Sequence, residues 1–313
     1  MLEFDRMVVV TKKTALQELV ERFGTREQAR FYIEHSGANF DEYEAAHEAY
    51  RGAMRAIEGA IPVGVRAHYI ERGFLPTYTF GQRDLVVTVG PDGLVVNTAK
   101  YLEGQALLAF NPDPRRIDGT LVPFSYRMAG EAFERALRAG WRVRHLTMAR
   151  VRLGDGQTLH AVNDFYIGQA TQTSALYRLG FGGREENQSS SGILVSTGTG
   201  STGWLKSVVT GALRLAQAML PAAEPPLQFP NPQFDGEAEE LAFHVREPFI
   251  SKTSSADIAC GRIDKRAPLT VTSRMPQRGV IFSDGIEDDY LQFNSGTTAQ
   301  VTVAERKLHL MEP

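Results

Sequence analysis

The segment that most constrains this chain is Ser196-Thr197-Gly198-Thr199-Gly200-Ser201-Thr202-Gly203-Trp204, which the apolar run Ile193-Leu194-Val195 feeds directly. Glycine allows positive φ and close backbone approach. Serine and threonine add compact donors and acceptors. Helical spacing resumes from Ser207 to Met219. A strand that empties into such a loop ahead of a helix is built to hold a polar or anionic ligand at the helix N-terminus. The same composition also makes a plain strand-to-helix turn with a hydroxyl cap, so the loop by itself leaves both readings open.

Two further segments narrow the choice. A buried-type strand, Leu85 to Val89, ends in the turn Gly90-Pro91-Asp92-Gly93, and Leu94 to Ala99 starts a helix. Pro-Asp-Gly is also ordinary β-turn composition. Further on, Ala161-Val162-Asn163-Asp164-Phe165-Tyr166-Ile167-Gly168 sets an amide beside a carboxylate in a strand-like run, where a turn or bulge is the plain alternative.

The first part of the chain alternates between strands and helices. Strands are expected at Met7–Val10, Val63–Ile70, Leu85–Val89 and Ala106–Phe110, and helices at Ala15–Phe23, Arg26–His35 and Glu42–Ile57. That alternation predicts a parallel α/β layer, whose ligands sit beyond the carboxyl ends of the strands. Asp92 and Asn111 both fall there. Pro112 to Pro123 reads as a linker and Ala129 to Ala139 as a short helix. Short strands then dominate: Val143–Leu153, Thr158–Ile167, Ser174–Gly180, Ile193–Val195, Leu241–Val245, Leu269–Thr272, Gly279–Phe282, Tyr290–Phe293 and Ala299–Val303. Gly183–Ser191 reads as a polar loop and Pro221–Gly236 as a mobile one. The expected plan is an α/β domain over residues 1–124 and a mostly β domain over residues 125–295.

A chain of 313 residues is large enough for two cores. The net charge of −3 offers no basic footprint for nucleic acid. No apolar run reaches the roughly 18 residues of a membrane span, and the first residues lack a signal or transit pattern, so a cytoplasmic protein without a membrane partner is expected. The single cysteine, Cys260, rules out an internal disulfide and reads as a buried small hydrophobe. The scattered histidines show no metal-ligand spacing, and no metal ligand is assigned.

In this order, the three segments resemble the NAD kinase family, whose pattern is a Gly-Gly-Asp-Gly turn, an Asn-Glu or Asn-Asp pair, and a Thr-Pro-Thr-Gly-Ser-Thr-Ala-Tyr loop. The chain looks most like the divergent, mitochondrial-type branch. That branch has Thr-Gly-Thr-Gly-Ser in the loop, an Asn-x-Asp-Pro segment (here Asn111-Pro112-Asp113-Pro114-Arg115-Arg116), and an Arg-Glu-Pro-Ile segment (here Arg246-Glu247-Pro248-Phe249-Ile250). The resemblance runs from about Met7 to about Leu310.

It implies a Rossmann-like α/β domain and a β-sandwich-type domain, as in NAD kinases and diacylglycerol kinases. Residues 296–313 would pack back on the first domain. It implies transfer of the γ-phosphoryl of ATP, with Mg²⁺ on the nucleotide, to the 2′-hydroxyl of the adenosine ribose of NAD(H). Asp92 would be the general base. Asn163, Asp164, Thr199, Thr202, Gly203, Trp204 and Ser191 would bind NAD, and Gly90, Gly93, Asn111, Arg115 and Arg116 the donor phosphates. A homodimer or homotetramer is expected. Pro91 stands where the family has glycine and offers no N–H, and Leu94 replaces a hydroxyl residue. Those departures keep two alternatives open: a catalytically impaired NAD(P)-binding relative, and a kinase of another hydroxyl substrate, lipid or sugar.

Overall fold

The computed structural model describes residues 4–138, 142–219 and 231–313. The chain divides into two compact units, Met1–Arg144 with Leu308–Pro313, and His145–Lys307.

The first unit contains β1 (Arg6–Thr11), α1 (Ala15–Phe23), α2 (Arg26–His35), α3 (Phe40–Ala60), β2 (Ala67–Glu71), β3 (Asp84–Val89), α4 (Asp92–Ala99), β4 (Ala106–Asn111), β5 (Phe124–Ser125) and α5 (Ala129–Leu137). Its strands run parallel in the order β2-β1-β3-β4. The start of β4 pairs with His309 and Leu310, and its end with β5. Every residue of β3 is buried, as a parallel strand covered on both faces requires. Val9, Val87 and Phe110 from the sheet pack with Ile57 of α3 and Phe133 of α5. A capping box at Thr14 and Gln17 starts α1, and Leu16, Ala29, Ile33 and Phe40 form a small core among α1, α2 and α3.

The second unit is built from β6 (Arg142–Leu153) from His145 onward, β7 (Thr158–Ala161), β8 (Asp164–Gln169), β9 (Ala175–Phe181), β10 (Arg184–Ser190), β11 (Ile193–Ser196), α6 (Trp204–Met219), β12 (Leu241–Val245), β13 (Cys260–Ile263), β14 (Leu269–Ser273), β15 (Gly279–Ser283), β16 (Ile286–Gln292) and β17 (Thr298–Glu312) up to Lys307. One antiparallel sheet has the order β13-β12-β11-β8-β15-β16. Its inward residues, among them Phe165, Ile167, Val195, Phe243 and Ile281, pack on Val151, Tyr177, Val271 and Val301 of the facing sheet. This two-layer core follows from period-two alternation along each strand.

Several expectations need correction. Residues 112–123 are no linker, because Leu121 and Val122 are buried in the first unit and the Asp92 carboxylate holds the backbone there. The units divide at Arg144 and Lys307 where the expected borders were 124 and 296, because β5 pairs with β4 and α5 joins the first core. Residues 184–190 form a strand, not a loop. The Gly182-Gly183 turn has both φ positive and folds this polar segment back on β9. The expected strand at Thr158–Ile167 breaks at Val162-Asn163, and the one from Val63 starts only at Ala67, after a turn in which Gly64 has φ +87°. Cys260 is exposed, on an outer strand that the sequence reading omitted. Residues 139 and 221–230, covered by the helix and mobile-loop expectations, lie outside the described residues.

Candidate functional site

The expected site residues fall into two groups, one in each unit. In the first, β3 delivers the chain to Gly90, whose N–H donates to the Phe110 carbonyl at 3.1 Å. A Cβ on Gly90 would stand 2.9 Å from Leu94 Cδ2, so glycine is required there by packing. Pro91 caps α4 with φ −75°, and Leu94, where the family carries a hydroxyl, is buried. Asp92 opens α4, a position that favours negative charge. Its two oxygens accept the N–H groups of Thr120 and Leu121, each at 3.0 Å, and each oxygen retains a further lone pair. Gly93 has open space where a Cβ would point.

Asn111 is occupied with its own loop. Its Nδ2 donates to the Ile117 carbonyl at 2.8 Å and its Oδ1 accepts from the Asp113 N–H at 3.0 Å. Arg116 donates to the Glu42 carbonyl at 3.0 Å. The Arg115 side chain is exposed and has no partner among the described residues.

The second group forms one connected piece of backbone. Asp284 and Gly285 make a two-residue turn with φ +56° and +70° between β15 and β16. The Asp284 carboxylate accepts three consecutive N–H groups, from Val162, Asn163 and Asp164, at 3.1, 2.7 and 3.2 Å. The Asp284 N–H returns a bond to the Asp164 carbonyl at 2.9 Å. This clamp holds the break between β7 and β8 open at Asn163. The glycine-rich loop then locks on. Thr197 N–H donates to the Asn163 carbonyl at 2.9 Å, and its hydroxyl to the Val162 carbonyl at 2.5 Å. A Cβ on Gly200 would stand 2.3 Å from the Asn163 carbonyl oxygen and 2.7 Å from Asp164 Oδ1. One on Gly198 would stand 2.0 Å from the Asp235 carbonyl oxygen. These glycines bring two backbone segments into contact.

Within this group Asp164 Oδ1 and Thr199 Oγ1 are buried without a hydrogen-bond partner, a costly state for polar atoms. Burial pushes the Asp164 carboxyl up to about 7, the Ser196 hydroxyl opposes the shift, and the Asp284 carboxylate adds to it. Thr202 and Gly203 are exposed beside Thr199, with the Thr202 hydroxyl on the Thr199 carbonyl at 3.1 Å. Trp204 stacks on Tyr166, centroids 6.2 Å apart at 14°, and Tyr166 donates to the Ser191 carbonyl at 3.2 Å. All of the second group therefore belongs to one neighbourhood. Sequence reasoning missed Asp284. Its only local signal, Asp-Gly between two strands, marks a hairpin turn and says nothing of a carboxylate reaching back more than a hundred residues. Among the described residues, no cluster of acidic, His or Cys side chains is placed to hold a metal ion, and no helix is long and apolar enough to cross a membrane.

No protein-family model matches the chain, and no curated protein matches it. Solved structures do. A yeast NADH kinase complexed with NADH is 15% identical over 98% of this chain and 83% of its own, with a TM-score of 0.58. An NAD kinase from Archaeoglobus fulgidus in complex with ATP is 14% identical over 98% of this chain and 93% of its own, with a TM-score of 0.57. The chain has the two-domain fold of the NAD kinases, an α/β layer followed by a β sandwich.

Proposed function

We propose that this protein is a cytoplasmic kinase that moves the γ-phosphoryl of ATP onto the 2′-hydroxyl of the adenosine ribose of NAD(H), giving NADP(H), and that it belongs to the divergent branch of that family and works as a homodimer or homotetramer. The observation that carries the reading is the pair of buried, unpartnered acceptors, Asp164 Oδ1 and Thr199 Oγ1, at the locked junction of the Asn-Asp pair with the Thr/Gly loop. Adjacent ribose hydroxyls, each able to donate and accept, suit those atoms and the Asn163 amide.

On this reading Asp92 takes the 2′-hydroxyl proton as the oxygen forms its bond to phosphorus and ADP departs. Its helix N-terminal position fixes the carboxylate, and its free lone pairs remain available. Phosphoryl transfer mostly requires positioning and charge neutralisation. Mg²⁺ would ride on the ATP phosphates and supply that neutralisation, with Arg115 and the open backbone at Gly93 the first-unit groups free to approach them. Asn111 and Arg116 would act through the loop they brace.

A second reading, a binding relative without turnover, is favoured by Pro91, by Leu94 in the core, and by the Thr120 and Leu121 amides already on Asp92. NADP formation from NAD, ATP and Mg²⁺, repeated with NADH and with polyphosphate, separates the two. Asp92→Asn is expected to lower the rate by about 10²–10⁴ and to leave NAD affinity within a few-fold. Binding of NAD without product would establish the second reading.

A further inference from the structure

The first unit leaves the outer edge of β2 bare, since among the described residues β2 pairs with β1 alone. The Arg66 carbonyl accepts the Met7 N–H at 2.8 Å. In this parallel ladder Arg66, His68 and Ile70 therefore turn their backbone groups toward β1, and Ala67, Tyr69 and Glu71 turn theirs outward. Native edges are guarded by lysine, proline, a bulge or dense charge. β10, an edge strand of the second unit, follows that rule with Arg184-Glu185-Glu186. β2 does not. It reads Ala67-His68-Tyr69-Ile70-Glu71, keeps its register on β1 over all five residues, and exposes Ala67, His68 and Tyr69. Val63 ahead of it in the chain and Phe74 after it are exposed as well.

α3 runs beside that edge. Burial raises the Tyr69 hydroxyl, and the Glu58 carboxylate adds to the shift. Burial raises the Tyr50 hydroxyl too, opposed by the Lys12 N–H on its oxygen and aided by Glu71. Glu58 therefore lies close to Tyr69 and Tyr50 close to Glu71, so α3 runs opposite to β2. Between Tyr50 and Glu58 the flank of α3 lines a groove of about 510 Å³ with Arg51, Met54 and Arg55. Its charges are unmatched within the chain. Arg55 and Glu58 have no ion pair among the described residues. Arg51 comes only within 3.9 Å of Glu48, beyond hydrogen-bond reach. Arg51 and Glu58 share a face of α3 about two turns apart, roughly 10 Å along the axis, too far to pair with each other.

We propose that β2 pairs antiparallel with β2 of a second copy of the chain about a two-fold axis through Tyr69, so that one sheet runs through both protomers and each Arg51 meets the partner's Glu58. In that register Tyr69 stands opposite Tyr69 and Ala67 opposite Glu71, and these are the residues whose backbone groups point outward. The two α3 helices then run antiparallel as well. Met54, midway between Tyr50 and Glu58, lies nearest the axis. Arg51, a turn to one side of it, faces the partner's Glu58, a turn to the other side, and symmetry makes the contact twice. Any extended segment could satisfy the bare backbone. The opposite charges spaced about Met54 match a second copy. This interface rests on the homo-oligomer proposed above and needs no nucleotide.

Light scattering of the full chain at low salt, where exposed charges are least screened, tests it. The parent is expected to contain an even number of chains, and Tyr69→Pro to halve that number. Proline is tolerated where the N–H faces away from the sheet, and circular dichroism with the melting temperature checks that the variant folds. Arg51→Glu and Glu58→Arg should each weaken the association about tenfold, two exposed pairs being lost and replaced by repulsion. An equimolar mixture of these two variants should associate as well as the parent, because each then offers the charge the other needs. Lost folding cannot produce that recovery, so the charge exchange decides the matter even if Tyr69→Pro fails to fold. A parent that stays monomeric at high micromolar concentration overturns the interface and the homo-oligomer together. An oligomer that neither Tyr69→Pro nor the charge variants disturb keeps the homo-oligomer and overturns this interface alone, as does a mixture no stronger than its components.

Discussion

Asp164 carries a carboxyl that its surroundings prefer neutral. Burial, reinforced by the neighbouring Asp284 charge and opposed by the Ser196 hydroxyl, raises it from an ordinary 3.8 to about 7. Between those values the unfolded chain binds fewer protons than the folded one, so stability falls as pH rises from about 4 to about 7. Above pH 7 the full penalty is present, at most about 4 kcal/mol for a shift of that size. Asp164→Asn keeps the shape and removes the charge. It is expected to melt higher than the parent at pH 8, with the difference vanishing toward pH 4. A gap independent of pH would mean that the carboxyl is not the source. The penalty makes sense at a binding position, where a polar ligand gives the buried oxygen the partner it lacks.

The element that organises the second unit is the lock between the β7–β8 break and the glycine-rich loop. Its tolerance is dictated by backbone, which cannot rotate away as a flexible side chain can. Gly200→Ala would press a methyl against the Asn163 carbonyl oxygen and is expected to cost about 2–3 kcal/mol in urea denaturation. The comparison is Gly93→Ala, in α4 with open space around the new methyl. That change should leave stability equal or raise it by up to about 1 kcal/mol. If nucleotide phosphates approach the α4 backbone as proposed, it should still weaken ATP-dependent turnover. Equal costs at the two glycines would contradict the assigned geometry. Both glycines stand out in the sequence. Only the packing separates the one that brings two backbone segments into contact from the one left open.

At the scale of the whole molecule, the last strand serves both units. Its early residues Ala299, Val301 and Val303 are buried in the sandwich core. Leu308, Leu310 and Met311 are buried too, and His309 and Leu310 pair with β4. A chain ending at Lys307 therefore loses buried apolar side chains and a parallel partner from the first unit while the sandwich core is untouched. Hydrogen exchange should show lost amide protection in β3 and β4, with that of β8 and β11 retained. Uniform loss in both sheets would show that the units do not unfold separately.

What the sequence by itself determined is local. Alternation and helical spacing located β1, β3, β4, α1, α2 and β12 within a residue or so, because burial of one face imposes its period on any segment that has one. The three motifs marked Asp92, the Asn163-Asp164 pair and the Thr/Gly loop, because tight turns and close approaches admit few residue types. Only the tertiary structure decided the rest. Asp284 clamps a break far back in the chain, Asn111 and Arg116 brace a loop, Leu121 and Val122 enter a core where a linker was expected, and Cys260 faces outward on an edge strand. Each outcome depends on which atoms of distant residues fill the space around a group, and a sequence window holds no information about partners that only folding brings within hydrogen-bond or van der Waals reach.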